Sequence, residues 1–204
     1  MRLRIIFAKT KAMRYTGHLD VQRALERTLR RASLPLAYTQ GFSPHARINL
    51  ASALPLGFTS EGEIVDIWLE KEMPLDQIQT ALDTSVPPGI EIRTIEEIIT
   101  KEPALQAQVQ AAEYIAWLSE PVDGIKERLA SLMASESLPR ERRGKSYDLR
   151  PLVESLDYDK KDNQDRIIMR LSARERATGR PEEVLDVLGI PLENATIQRT
   201  SILF

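Results

Sequence analysis

The chain has two histidines, His18 and His45, and they stand near the two ends of one stretch, Met13 to Arg47. A histidine titrates near neutral pH and can act as acid, base or hydrogen-bond donor. The first lies in MRYTGHLD and the second in QGFSPHAR. In MRYTGHLD, Gly17 permits a turn into a helix. A helix start presents free backbone N–H groups and the positive end of the dipole, a geometry that binds anions. Arg14 would add a bidentate phosphate contact. The same residues also fit a plain helix start in which His18 only packs or caps. In QGFSPH, Gly41, Ser43 and Pro44 make a tight loop. Phe42 either anchors that loop or stacks on a flat ligand. His45 and Arg47 fall on one side of the next strand by period-two alternation.

Between the motifs, Val21, Ala24, Leu25, Leu29 and Ala32 recur at three- and four-residue spacing, which predicts a helix over 18–32. Thr16 is the expected N-cap, and Asp20 suits the first turn. The opposite face carries Arg23, Arg27, Arg30 and Arg31, with Glu26 set to pair with Arg30. That face is either solvated or a surface for phosphates or an acidic partner. A second basic stretch, Arg140 to Pro151, is either a mobile loop or a further nucleic-acid contact, with Tyr147 as its one aromatic.

The net charge of -2 hides an asymmetry. Residues 1–50 hold ten Lys/Arg against two acids, and residues 51–120 hold three against thirteen. One face suited to anions follows from this. There is no cysteine, so disulfides, thiolate zinc and a cysteine-held iron–sulfur cluster are excluded within the chain. No metal site and no cofactor are expected. No apolar run approaches the roughly 18 residues of a membrane span, and the N-terminus does not read as a signal peptide. A cytoplasmic protein with no membrane contact is expected. Walker A, GxGxxG, HExxH and GxSxG motifs are all absent.

The elements that must position these residues run β-α-β-β-α-β, then repeat. Strands are predicted over 3–8, 36–40, 47–51, 63–70 and 90–95, with a second helix over 74–84. In the second half, strands fall over 109–118, 166–173 and 195–204, and helices over 122–135 and 181–188. KSYDLRPLVESLDYD reads as strand or irregular. The expected fold is α+β: two tandem ferredoxin-like, split βαβ units with mostly antiparallel sheets, 1–103 and 104–204. A linker is expected over 100–108. No residue-level identity links the halves, so the repeat rests on element order.

The stretch KAMRYTGHLD through SEGEIVDIWL resembles the radical SAM-linked protein family, an uncharacterised bacterial domain. Arg14-Tyr15, His18-Leu19-Asp20, Arg30-Arg31-Ala32 and Tyr38-x-Gln40-Gly41-Phe42-x-Pro44-His45 carry the resemblance. Ser60-Glu61-Gly62-Glu63, GKSYDLRPLV and the ending QRTSILF extend it over nearly the whole chain. The resemblance implies a radical SAM protein as partner, with RNA and an RNase E/G-type ribonuclease in the same context. It brings no agreed activity or catalytic residues.

The first expectation is a binding module, not an enzyme, that presents an RNA-like or phosphate-bearing substrate to a radical SAM enzyme. Its ligand-binding residues would be Arg14, Tyr15, Gly17, His18, Arg27, Arg30, Arg31, Gln40, Phe42, Ser43, His45 and Arg47. The alternatives are a protein-interaction adaptor without nucleic acid and a metal-independent RNA-processing enzyme. In the latter His18 and His45 would be the catalytic pair.

Overall fold

The computed structural model describes all residues from Met1 to Phe204. They form two compact units, Met1–Gln108 and Val109–Phe204. Both are α+β. The first contains β1 (Arg2–Lys9), α1 (His18–Arg31), β2 (Ile48–Leu50), β3 (Thr59–Trp68), α2 (Leu75–Asp83), β4 (Ile90–Glu97) and the short α3 (Leu105–Gln108). β1 pairs antiparallel with β3 and β4, and β2 with β3, so the order is β4-β1-β3-β2.

Alternation along the strands separates two faces. Leu3, Ile5 and Phe7 of β1 and Val65 and Ile67 of β3 are buried beside Val21, Leu25 and Leu29 of α1 and Ile78 and Leu82 of α2. Residues of the other parity meet on the opposite face: Arg2 is opposite Trp68, and Arg4 and Asn49 flank Asp66.

α1 starts where its periodicity predicts, but its N-cap is Gly17, and no side chain caps it. Thr16 instead closes the preceding turn, its N–H donating to Met13 O. At the other end Ser33 turns left-handed, at φ 56°. Ser33 N donates to Arg30 O and Leu34 N to Leu29 O, which satisfies the last carbonyls.

The expected strand over 36–40 is reduced to isolated bridges, Leu36 with Leu69 and Tyr38 with Ala46. The Arg47 N–H goes to Ala37 O rather than to β3, which shortens β2 to three residues. β3 in contrast starts at Thr59, earlier than the hydrophobic pattern suggests. Lys9 explains this. It pairs with Ser60 beyond a bulge in β1, and its buried ammonium donates to the carbonyls of Phe58 and Arg14. The segment 100–108 belongs to the first unit. Leu105 is fully buried there, and the Gln106 amide donates to Leu50 O.

The second unit contains β5 (Ala111–Leu118), α4 (Ile125–Ala134), β6 (Pro139–Arg142), β7 (Lys145–Asp148), β8 (Val153–Lys161), β9 (Gln164–Arg174), β10 (Ala177–Thr178), α5 (Pro181–Val187) and β11 (Ala195–Leu203). Antiparallel pairing gives β8-β9-β5-β11, with β10 also on β9. Leaving out the β6–β7 hairpin and β10, the second, third, first and fourth strands are neighbours in that order, as in the first unit. Tyr114, Ile167, Met169 and Leu171 of its sheet, Leu129 and Leu132 of α4, and Val184 and Leu185 of α5 are all buried. No helix is long and apolar enough to cross a membrane.

Candidate anion-binding site

The functional residues of the first unit are set by strand ends. β1 opens with Arg2 and Arg4 two positions apart, so both guanidiniums lie on the face away from the helices. β3 places Asp66 and Trp68 on that face in register with them. Asp66 is fully buried and accepts from both arginines: Arg2 Nε at 3.0 Å, Arg4 Nε at 2.9 Å and Arg4 Nη2 at 3.1 Å. Arg4 Nη2 also donates to Glu102 at 3.0 Å. Burial pushes the Glu102 carboxyl up, but the charge and hydrogen bond of Arg4 outweigh it and hold it below the ordinary range. Arg4 is held above its usual value, first by its hydrogen bond to Asp66.

Beside this network lies an open cleft of about 590 Å³. Arg2, Asn49 and Trp68 line it from the sheet, and Gln22 lines it from α1. Thr39, His45, Ala46 and Arg47 come from the connection before β2, and Glu102, Pro103 and Ala104 from the segment after β4. Two guanidiniums lie over the Trp68 ring: Arg47, just before β2, at 4.6 Å and Arg2 of β1 at 5.3 Å from its centroid. Their roles differ. Arg2 is tied to Asp66, whereas Arg47 has no carboxylate partner. An unpaired guanidinium whose plane is steadied by an aromatic ring retains its donors for a carboxylate or phosphate. His45, Thr39, Asn49 and Gln22 add further hydrogen-bonding side chains around it.

The structure brings some of the expected residues together and leaves others apart. His45 and Arg47 both line the cleft, on the side where alternation places them. Phe42 is fully exposed at the tip of the loop, so it does not anchor the loop in the core. Gln40, Gly41 and Ser43 are exposed beside it. His18 does not line the cleft, although Gln22, one helical turn later on the same α1 face, does. Gly17 and Tyr15 also lie outside it.

Two expected phosphate ligands are committed elsewhere. Arg14 Nε donates to Gly57 O at 2.7 Å, and Gly57 N returns a bond to Arg14 O. Arg14 also lies over the Tyr15 ring at 5.5 Å. The Arg31 guanidinium donates to Ser85 O. Arg30 pairs with Glu26 and covers Tyr38, and Arg23 pairs with Asp20. Of the arginine face, Arg27 is exposed and without a carboxylate partner. Arg2, Asn49, Trp68 and Glu102 were absent from the sequence expectation. One signal pointed to them: Asp66 is a charge inside the apolar run EIVDIW, and β1 carries arginines at i and i+2.

The basic stretch of the second unit is an ordered hairpin. Arg143 and Gly144 turn left-handed at its tip, with φ 53° and 73°. Arg142 pairs with Glu183 and Arg140 with Asp186. No group of three or more His, Asp or Glu is placed to hold a metal ion.

No curated protein matches the chain. A chain in a crystal structure of a Cbf5-Nop10-Gar1 complex is similar in fold, with a TM-score of 0.54 and 12% identity. That match covers 98% of this chain and 48% of the other, so the present chain spans about half its length. An unknown protein from Galdieria sulphuraria covers 97% of this chain at 14% identity, with a TM-score of 0.27. A family model spans residues 2–181, and the chain therefore belongs to the family described as uncharacterized protein conserved in bacteria (DUF2344).

Proposed function

We propose that the protein is a non-catalytic binding module that holds an RNA-like or phosphate-bearing substrate in the first-unit cleft and presents it to a radical SAM enzyme. The observation that carries the binding half is Arg47: a guanidinium in an open cleft, stacked on Trp68, with no acid to neutralise it. The partner half rests on the resemblance of the two loop motifs to the radical SAM-linked family. Within this reading both units are ferredoxin-like, since each, once the β6–β7 hairpin and β10 are set aside, has the βαββαβ order and an antiparallel sheet in which the fourth strand lies beside the first.

Binding is preferred over catalysis because one histidine, not two, lines the cleft. Acid–base work by His18 and His45 would need both within hydrogen-bond reach of one substrate, directly or through one water. The adaptor reading has its own observation. Tyr15, Leu19 and Leu56 are all more than half exposed, and the Arg14–Gly57 bonds hold Tyr15 and Leu56 close. Such a group suits contact with a protein partner, and the same module can carry both surfaces.

The test is a salt titration of oligoribonucleotide binding. Each phosphate contact contributes about -0.7 to the slope of log K against log salt for a single strand. Arg47→Ala should weaken binding and reduce the slope by about that amount. No binding at low salt would sink the reading.

A further inference from the structure

A phosphate-bearing ligand carries groups other than phosphate that a protein site can read. Phe42 bears on this. It is the most exposed large apolar side chain of the protein, at 113% of its reference exposure. Its loop is firmly closed at the base. Thr39 N donates to His45 O at 2.8 Å, and His45 N donates to Thr39 Oγ1 at 3.0 Å. The Tyr38–Ala46 bridge closes it one residue further out. Gly41, at φ 135°, makes the turn that throws the ring outward, and Pro44 stiffens the return.

The two residues that close the loop, Thr39 and His45, are themselves cleft residues. Phe42 is three residues from each, so chain reach holds it within roughly 10 Å of the cleft wall. A second aromatic, Tyr38, stands at the loop base, partly exposed and covered by Arg30 at 5.6 Å. Two rings of this region, Tyr38 and Trp68, thus each carry a guanidinium.

We infer that the ligand of this cleft is a single-stranded nucleic acid, with a base stacked on Phe42 and an adjoining phosphate on Arg47. This rests on the anion-binding reading and extends it to the substrate class. A ring fixed in water by a stiff loop stacks with little ordering cost, and stacking accepts any base. Bases inside a duplex offer no free face, so the strand must be single.

Two probes of similar charge separate the levels: an eight-nucleotide oligoribonucleotide and inorganic polyphosphate of eight units. Wild type should bind the oligonucleotide more tightly. Phe42→Ala should weaken oligonucleotide binding about 5- to 150-fold, the range for loss of one stacked base, and leave polyphosphate binding unchanged. Phe42→Trp should retain the oligonucleotide affinity. Equal loss for both probes, or no loss for the oligonucleotide, would overturn the stacking role while Arg47-dependent polyphosphate binding kept the anion site standing. Failure of both probes to bind wild type would overturn the site itself.

Discussion

Each unit pairs a tryptophan with an arginine across its first and third strands, and the two pairs are treated differently. In the second unit Arg166 lies over Trp117 at 5.2 Å and is bound by Asp159, its cross-strand neighbour. That charge is neutralised on the spot. In the first unit Arg2 over Trp68 is likewise neutralised, by Asp66, but a further arginine, Arg47, covers the same ring without an acid. The connection between first helix and second strand differs in the same sense. In the second unit it is the β6–β7 hairpin, braced by two ion pairs to α5. In the first unit it is a loop with an exposed phenylalanine and cleft-lining His45. One arrangement is thus fully ion-paired in one unit and leaves Arg47 without an acid in the other.

The comparison breaks most severely at Asp66. Asp66→Ala would leave Arg2, largely buried, without a carboxylate and the equally buried Arg4 with Glu102 alone. A loss of about 3–5 kcal/mol is expected in denaturant unfolding of the first unit. Asp159→Ala in the second unit should cost far less, because Asp159 is 43% exposed and water replaces it. Equal costs would mean that the two pairs are not treated differently.

Glycines come next. A Cβ on Gly89 would sit 2.6 Å from Met13 Cγ, at φ +99°, and one on Gly179 would sit 2.9 Å from Leu152 O. Each Ala variant should lose about 1–3 kcal/mol, with Gly89 the more costly because strain adds to the clash. Melting temperatures of the two variants order them.

A smaller effect distinguishes the units in acid. Asp148 of the β6–β7 hairpin is held below the ordinary carboxylate range, first by the backbone N–H groups of Leu138 and Arg150. A depressed folded pKa contributes stability that is fully present above the unfolded value and lost as pH falls through the folded one. Asp148→Asn should remove that acid-sensitive component from the second unit, and Glu102→Gln should remove its counterpart from the first. Unfolding followed at descending pH checks both. Least of all, Arg27→Ala should leave stability within about 0.5 kcal/mol of wild type, since nothing in the fold depends on it.

The α+β class and the longer helices were legible in the sequence, because apolar periodicity reports directly on which face is buried, whereas β6 and β10 were not expected as strands. The start of β3 was not, because a buried lysine, Lys9, lets the polar run TSEGE pair as strand. The N-cap was misplaced by one residue because Thr16 is used in the turn before the helix. Cleft-lining residues were legible where they lay near one another in sequence, as with His45 and Arg47. They were missed where the sheet register brings them together, as with Arg2, Trp68 and Asn49. Arginine counts hide long-range hydrogen bonds for a related reason. Arg14 and Arg31 look like free charges in the sequence, but Arg14 Nε and the Arg31 guanidinium donate to backbone carbonyls far along the chain.

A ligand bound in the first-unit cleft would lie beside Trp68. The chain has two tryptophans, so Trp117→Phe leaves Trp68 as the only indole reporter. Titrating that variant with an oligoribonucleotide at low salt should give a saturable change in Trp68 fluorescence, and adding Arg47→Ala should weaken it at least fivefold. Oligonucleotide binding, measured independently, that left Trp68 emission unchanged would contradict the account.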